Sequence, residues 1–93
     1  MNVTVTQHDD IDRYVMTADD VEVGYLQYAD HDGVRETVST RVYEEFGGRG
    51  YGTRLVAAAL DDIREAGMTV RPTCPMVDAY LGKHPELESL REG

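Results

Sequence analysis

Residues 34–65, VRETVSTRVYEEFGGRGYGTRLVAAALDDIRE, change their periodicity part-way along. Over 34–42 the spacing predicts a strand with Val34, Val38 and Val42 on one side, and Glu36 on that side at its exposed end. From about Gly50 to Glu65 the apolar residues Leu55, Val56, Ala59, Leu60 and Ile63 recur at helical spacing, while Arg54, Asp61, Asp62, Arg64 and Glu65 keep the opposite side wet. Gly67 supplies the left-handed residue at which a helix stops. Between strand and helix stand Phe46, Gly47, Gly48, Arg49, Gly50, Tyr51, Gly52 and Thr53, a glycine-rich turn leading into a helix N-terminus.

The residues before this stretch read as β structure. Residues 2–7 alternate, with Val3 and Val5 opposed to Thr4 and Thr6, and acidic residues 9–12 then interrupt them. Residues 13–17 and 21–28 form two more β-rich runs joined by Ala18, Asp19 and Asp20, and a further turn is expected over 30–33. After the helix, residues 68–73 favour a strand, and a strand, helix, strand order implies a parallel crossover. Pro75 suits the first turn of a second helix, which runs through Val77 and Tyr80 to about Leu81 and ends at Gly82 and Lys83. Residues 84–90 form a short closing segment, about one turn of helix. The expected fold class is therefore mixed α+β: antiparallel N-terminal strands, a strand, helix, strand crossover, and short C-terminal helices.

With 93 residues the chain has room for one domain, 1–93, and no second one. Its 41% hydrophobic and 29% charged residues are those of an ordinary globular protein. Eighteen acidic against nine basic side chains leave a net charge of −9, which opposes binding to a phosphate backbone and makes nucleic acid an unfavourable partner. The acidic pairs are dispersed, as on a well-solvated surface; Glu44 and Glu45 could equally attract a cationic amine. One cysteine, Cys74, excludes an internal disulfide, and no leader and no apolar run of about 18 residues is visible. A soluble, cytoplasmic protein with no membrane partner is expected. His8 and His31 sit in acidic turns without matched ligands, so no metal site is expected.

Glycines before a helix let backbone N–H groups approach an anion, and the helix dipole points at the same place. Donors from Gly48 to Arg54, with the Thr53 hydroxyl, suit a pyrophosphate. No Lys-Ser/Thr pair closes the turn, against a P-loop, and antiparallel strands precede it, against a dinucleotide fold.

Residues 36–56, ETVSTRVYEEFGGRGYGTRLV, resemble motif A of the GNAT N-acetyltransferase superfamily, Arg/Gln-x-x-Gly-x-Gly/Ala after a strand. Residues 71–87, RPTCPMVDAYLGKHPEL, are similar to the short stand-alone branch of that superfamily, with its cysteine, aromatic and closing Lys/Arg-His/Asn-Pro segment. The resemblance implies that Gly48, Arg49, Gly50, Tyr51, Gly52 and Thr53 hold the pyrophosphate of acetyl-CoA and that the backbone at Val42 pairs with its pantetheine arm; Arg54 ends the same run of donors, and His84, between Lys83 and Pro85 at a helix end, reads as a cap, as a contact with the coenzyme's ribose phosphate, or as a general base. It further implies an amine acceptor, on a small molecule, peptide or protein. Gly47 stands where the motif usually has arginine or glutamine, and Ser39 where the branch often has a histidine; the first loses a side-chain donor and the second a general base.

Cys74, at a strand end and a helix start, reads either as a reactive thiolate or as a small buried hydrophobe. Tyr80 reads either as the acid that protonates the leaving sulfur or as an aromatic packed between helix and sheet. Direct attack of the amine and a route through acetyl-Cys74 both follow from these residues. The alternative to an enzyme is a CoA-binding sensor or interaction module without turnover, a reading that Ser39 favours.

Overall fold

A computed structural model describes residues 2–93. Strands β1 (Val3–His8), β2 (Arg13–Ala18), β3 (Val21–His31) and β4 (Val34–Val42) follow one another as an antiparallel meander. A 3₁₀ turn (Glu44–Phe46) leads to helix α1 (Tyr51–Glu65). The chain returns as β5 (Thr69–Arg71), parallel to β4, giving a sheet in the order β1-β2-β3-β4-β5. Helix α2 (Pro75–Lys83) and a 3₁₀ segment (Pro85–Leu90) close it. The mixed α+β architecture expected from the sequence is the one observed.

Two of the three hairpins, β2–β3 and β3–β4, are set by two-residue turns. Asp19 and Asp20 (φ 50° and 69°), and Asp32 and Gly33 (φ 49° and 84°), hold the left-handed backbone that matches the twist of the flanking strands. The second turn is shorter than the 30–33 expected. Asp30 belongs to the strand because it faces Arg35 across the β3–β4 ladder, and that arginine takes both its carboxylate oxygens, at 2.7 and 2.8 Å.

The expected face of β4 needs correction. The β3 register passes from Thr37 to Ser39 between Tyr28 and Gln27, so Val38 is an extra, bulged residue, and it is exposed. A one-residue bulge switches the side-chain alternation. Before it Arg35 and Thr37 face the helices; after it Thr40, opposite Leu26, and Val42, opposite Gly24, do so. Glu36, Ser39 and Arg41 look out from the other face. Gly24 has no alternative at its position, since a Cβ there would lie 2.4 Å from the Arg41 carbonyl oxygen.

The apolar stripe of α1 is buried as expected, with Leu55, Val56, Ala59, Leu60 and Ile63 against Tyr14, Met16, Leu26 and Tyr28 of the sheet. Val77 and Leu81 bring α2 onto the same core. The opposite face of the sheet contributes nothing to that cluster. No helix among the described residues is long and apolar enough to cross a membrane.

One polar knot lies within this packing. The buried Arg35 guanidinium donates to Asp30 and, at 2.7 Å, to the Tyr14 hydroxyl, which donates to Asp62 on α1 at 2.6 Å. It also lies 4.2 Å from the centre of the Tyr28 ring. Burial, and then the bond to Asp62, push the Tyr14 phenol well above its usual range, with Arg35 pulling the other way. Burial pushes Tyr28 up to about 12. The Arg35 hydrogen bonds hold the Asp30 carboxyl below its ordinary value against a smaller opposing effect of burial.

Two outcomes follow. Tyr14→Phe removes the link between Arg35 and Asp62 and lowers unfolding free energy by about 1–3 kcal/mol in urea titration. Because the Asp30 pKa is depressed in the folded state, its contribution is complete above the unfolded carboxyl range and fades as pH falls through the folded value. Acid titrations of Asp30→Asn therefore show a flatter loss of stability below about pH 4 than the parent chain.

Candidate functional site

The site begins where β4 and β5 part. Their ladder covers only Val34–Glu36 against Thr69–Arg71, shorter than the 68–73 expected. Thr73 turns back to bond the Arg71 carbonyl (3.0 Å), the Cys74 N–H takes the Thr37 carbonyl (2.8 Å), and Pro75 has no N–H to continue. Beyond Thr37, β4 has no ladder partner on that side among the described residues. The Tyr43 N–H bonds the Val23 carbonyl at 2.9 Å, so strand alternation turns the peptide groups of Val42 and Thr40 away from β3, into the gap.

The first turn of α1 stands at the end of this gap. Gly48 and Gly50 are both left-handed (φ 76°), a conformation that strains any residue with a Cβ. Among the described residues, the backbone N–H groups of Gly48, Arg49, Gly50, Gly52 and Thr53 make no bond to the chain, and no side chain caps Gly50. The run of open donors is shorter than expected: the Arg54 N–H bonds the Gly50 carbonyl at 3.2 Å, and only the side chain of Arg54 faces solvent. The Tyr51 ring packs in the core. A Cβ on Gly52 would come 3.1 Å from Met76 Sδ and 3.6 Å from Val42 Cγ2, so this glycine lets α1, α2 and the end of β4 converge.

A cleft of about 210 Å³ opens beside this turn, lined by Thr53, Met76, Ala79, Tyr80, Lys83 and His84. That is below the size of a complete small-molecule site, roughly 300 Å³ and upward, and leaves room for one part of a longer ligand. The His84 ring stacks on Tyr80 (centroids 4.0 Å apart) and lies 3.5 Å from Glu86. Arg49 projects near the Phe46 ring, at 5.9 Å. Open N–H donors, a helix N-terminus and several cations form a surface suited to a polyanion.

Cys74 is 4% exposed, caps α2 and rests its Sγ 3.4 Å from the Thr40 hydroxyl, on the helix side of the gap. The structure thus gathers Thr53, Tyr80 and His84 in one cleft, and Cys74 with Thr40 and Val42 at the fork. On the opposite side of the sheet Glu36 receives Thr73 Oγ1 at 2.5 Å and bonds His31 at 3.0 Å. Those bonds, that of Thr73 first, keep its carboxyl below the usual range. No group of acidic, histidine or cysteine side chains able to hold a metal occurs among the described residues.

Residues 13–90 match the model of the GCN5-related N-acetyl-transferase family. The chain belongs to that family. The NMR solution structure of a GCN5-like protein from Staphylococcus aureus superposes with a TM-score of 0.73 at 21% identity, over 99% of this chain and 90% of that one, a likeness of fold. Ard1 from Thermoplasma volcanium superposes with a TM-score of 0.57 at 26% identity, over 63% of this chain and 41% of that one. No curated protein matches.

For this GCN5-related chain, sequence reasoning passed over Met76, Ala79 and Lys83. Their recurrence with Tyr80 at i, i+3, i+4 and i+7 is a helical face and was legible. Glu36 was placed with the valines of β4, because a bulge leaves no pattern in one sequence.

The burial of Cys74 has a direct outcome. A thiol-specific disulfide reagent modifies the native protein on the order of 100-fold more slowly than the urea-unfolded chain, since reaction awaits local opening.

Proposed function

We propose that the protein transfers an acetyl group from acetyl-CoA to a primary amine. The observation that carries this reading is the gap between β4 and β5, which ends at a helix N-terminus rich in open N–H donors and beside a cationic cleft. The N–H groups of Gly48, Arg49, Gly50, Gly52 and Thr53, with the Thr53 hydroxyl, receive the pyrophosphate. Arg49, Arg54, Lys83 and His84 face the remaining phosphate charge. The pantetheine amides add to β4 as a further strand, pairing with the free peptide groups at Val42 and Thr40. An N–H of the same edge polarises the thioester carbonyl.

The amine attacks directly. The acceptor ammonium first gives a proton to solvent; the lone pair of the neutral amine then forms the C–N bond, the C–S bond breaks, the nitrogen releases its extra proton to solvent, and Tyr80 protonates the departing sulfur and regains a proton from solvent. The burial of Cys74 and its contact with Thr40 support a packing role on the fork wall rather than a covalent one. Glu36, ionised on the far side, draws the acceptor ammonium toward the opening. The loss of a histidine at Ser39 supports a second reading, a CoA-binding module without turnover. Consumption of acetyl-CoA that depends on added amine separates the two.

Calorimetric titration with acetyl-CoA and with CoA tests the site. The parent chain binds both; Gly50→Glu, which brings charge and bulk into the cradle, does not; and Lys83→Gln binds roughly tenfold more weakly, as expected on losing one phosphate contact. Cys74→Ala retains turnover. Absence of binding by the parent chain would end the enzyme reading, and loss of turnover in Cys74→Ala with binding intact would restore the acetyl-cysteine route.

A further inference from the structure

The chain has nine basic side chains, and most are spent internally. Arg13 bonds Gln27, Arg35 bonds Asp30, Arg64 bonds Asp61, Arg71 bonds Glu92, Arg91 bonds Asp78 and Glu88, and Arg49 lies by the Phe46 ring. Among the described residues, the charged groups of Arg41, Arg54 and Lys83 have no partner, in a chain with 18 acidic residues available to pair them. Arg54 and Lys83 lie by the anion cradle. Arg41 does not: the bulge at Val38 turns it to the opposite face, where it is exposed across the ladder from Tyr25.

We propose that the acceptor is an amine that also carries a carboxylate, and that Arg41 binds this carboxylate. The inference rests on the acetyltransferase reading and names the substrate class of the same site. With the helices and the cradle on one side of the fork, the open sheet face is the free approach to a thioester held there. Arg41 stands between Thr40 and Val42, the two residues whose peptide groups turn into the gap, so its backbone is about 4 Å from theirs. A molecule whose amine reaches the carbonyl while its carboxylate reaches this guanidinium has the two groups a few bonds apart.

The surrounding charge agrees. Arg13 lies 3.9 Å from the centre of the Tyr25 ring, so two cations flank that tyrosine, beside the neutral side chains of Gln27 and Ser39. Glu22, the nearby acid, accepts a hydrogen bond from the Tyr43 hydroxyl, and the two cations outnumber it. A zwitterion carries no net charge and is not repelled by a protein of net charge −9, and its carboxylate finds a local cation. A guanidinium also matches a carboxylate in bidentate geometry. Free amino acids and peptides with an acidic residue at the amino terminus share this chemistry.

The test compares acetylation of free amino acids, of such peptides, and of the corresponding carboxamides, by the parent chain, Arg41→Gln and Arg41→Lys. The parent chain prefers carboxylates over carboxamides at least tenfold in kcat/KM; Arg41→Gln loses the preference with acetyl-CoA affinity unchanged; Arg41→Lys keeps part of it. Which carboxylate series leads identifies the source. Equal use of acids and amides by the parent chain, or a preference that survives Arg41→Gln, overturns the proposal. NMR titration of the Arg41 Nε–H with the same compounds is read whether or not turnover occurs. A shift with carboxylates and none with carboxamides supports the site, and no shift with either overturns it. Failure to bind acetyl-CoA, seen separately by calorimetry, is the failure of the acetyltransferase reading.

Discussion

The arrangement of the site depends on one hydrogen bond, from the Cys74 N–H to the Thr37 carbonyl. It is the last main-chain link between β4 and the chain leaving β5, and the residue after it is a proline. From there the two segments diverge, one running on to Val42 and the other turning into α2. Were the ladder to continue, the peptide groups of Thr40 and Val42 would be consumed within the sheet. Because it stops, an unpaired strand edge is left inside the protein, and the N-terminus of α1 stands at its end.

An opening of this kind needs rigid walls, and the Arg35 knot provides one. Asp30 on β3, Tyr14 on β2, Arg35 on β4 and Asp62 on α1 meet at a single buried guanidinium. A buried cation is costly unless its donors are met, and a chain of such bonds tolerates little displacement of its members. The knot therefore ties the C-terminal part of α1 to the paired half of β4, while the helix N-terminus is free to face a ligand. The packing of Met76 and Val42 against Gly52 completes the alignment from the other end.

Much of this was legible in the residues. The strand over 34–42, the stripe from Leu55 to Ile63, the stop at Gly67, the parallel return and the proline that opens α2 all follow from local patterns and are all observed. The glycines of the cradle were legible too, because left-handed backbone leaves a mark in residue choice. What escaped was nonlocal. The bulge at Val38 arises from the register between two strands, so the expected valine face was wrong from that residue on. Arg35, whose spacing read as nothing, is buried because Asp30, Tyr14 and Asp62 converge on it. Arg54 loses its open N–H to the first helical bond.

The sequence by itself determined the element order and the position of the glycine-rich turn before α1, since periodicity, turn glycines and helix termini are properties of neighbouring residues, and its motifs carried the resemblance to the family. The tertiary structure alone decided which face each β4 side chain takes, where β4 and β5 part, that Cys74 is buried against Thr40, and that Arg41 stands unpaired across the sheet from the cradle. These outcomes depend on strand register and on which charges find partners through space, and neither is set by spacing along the chain.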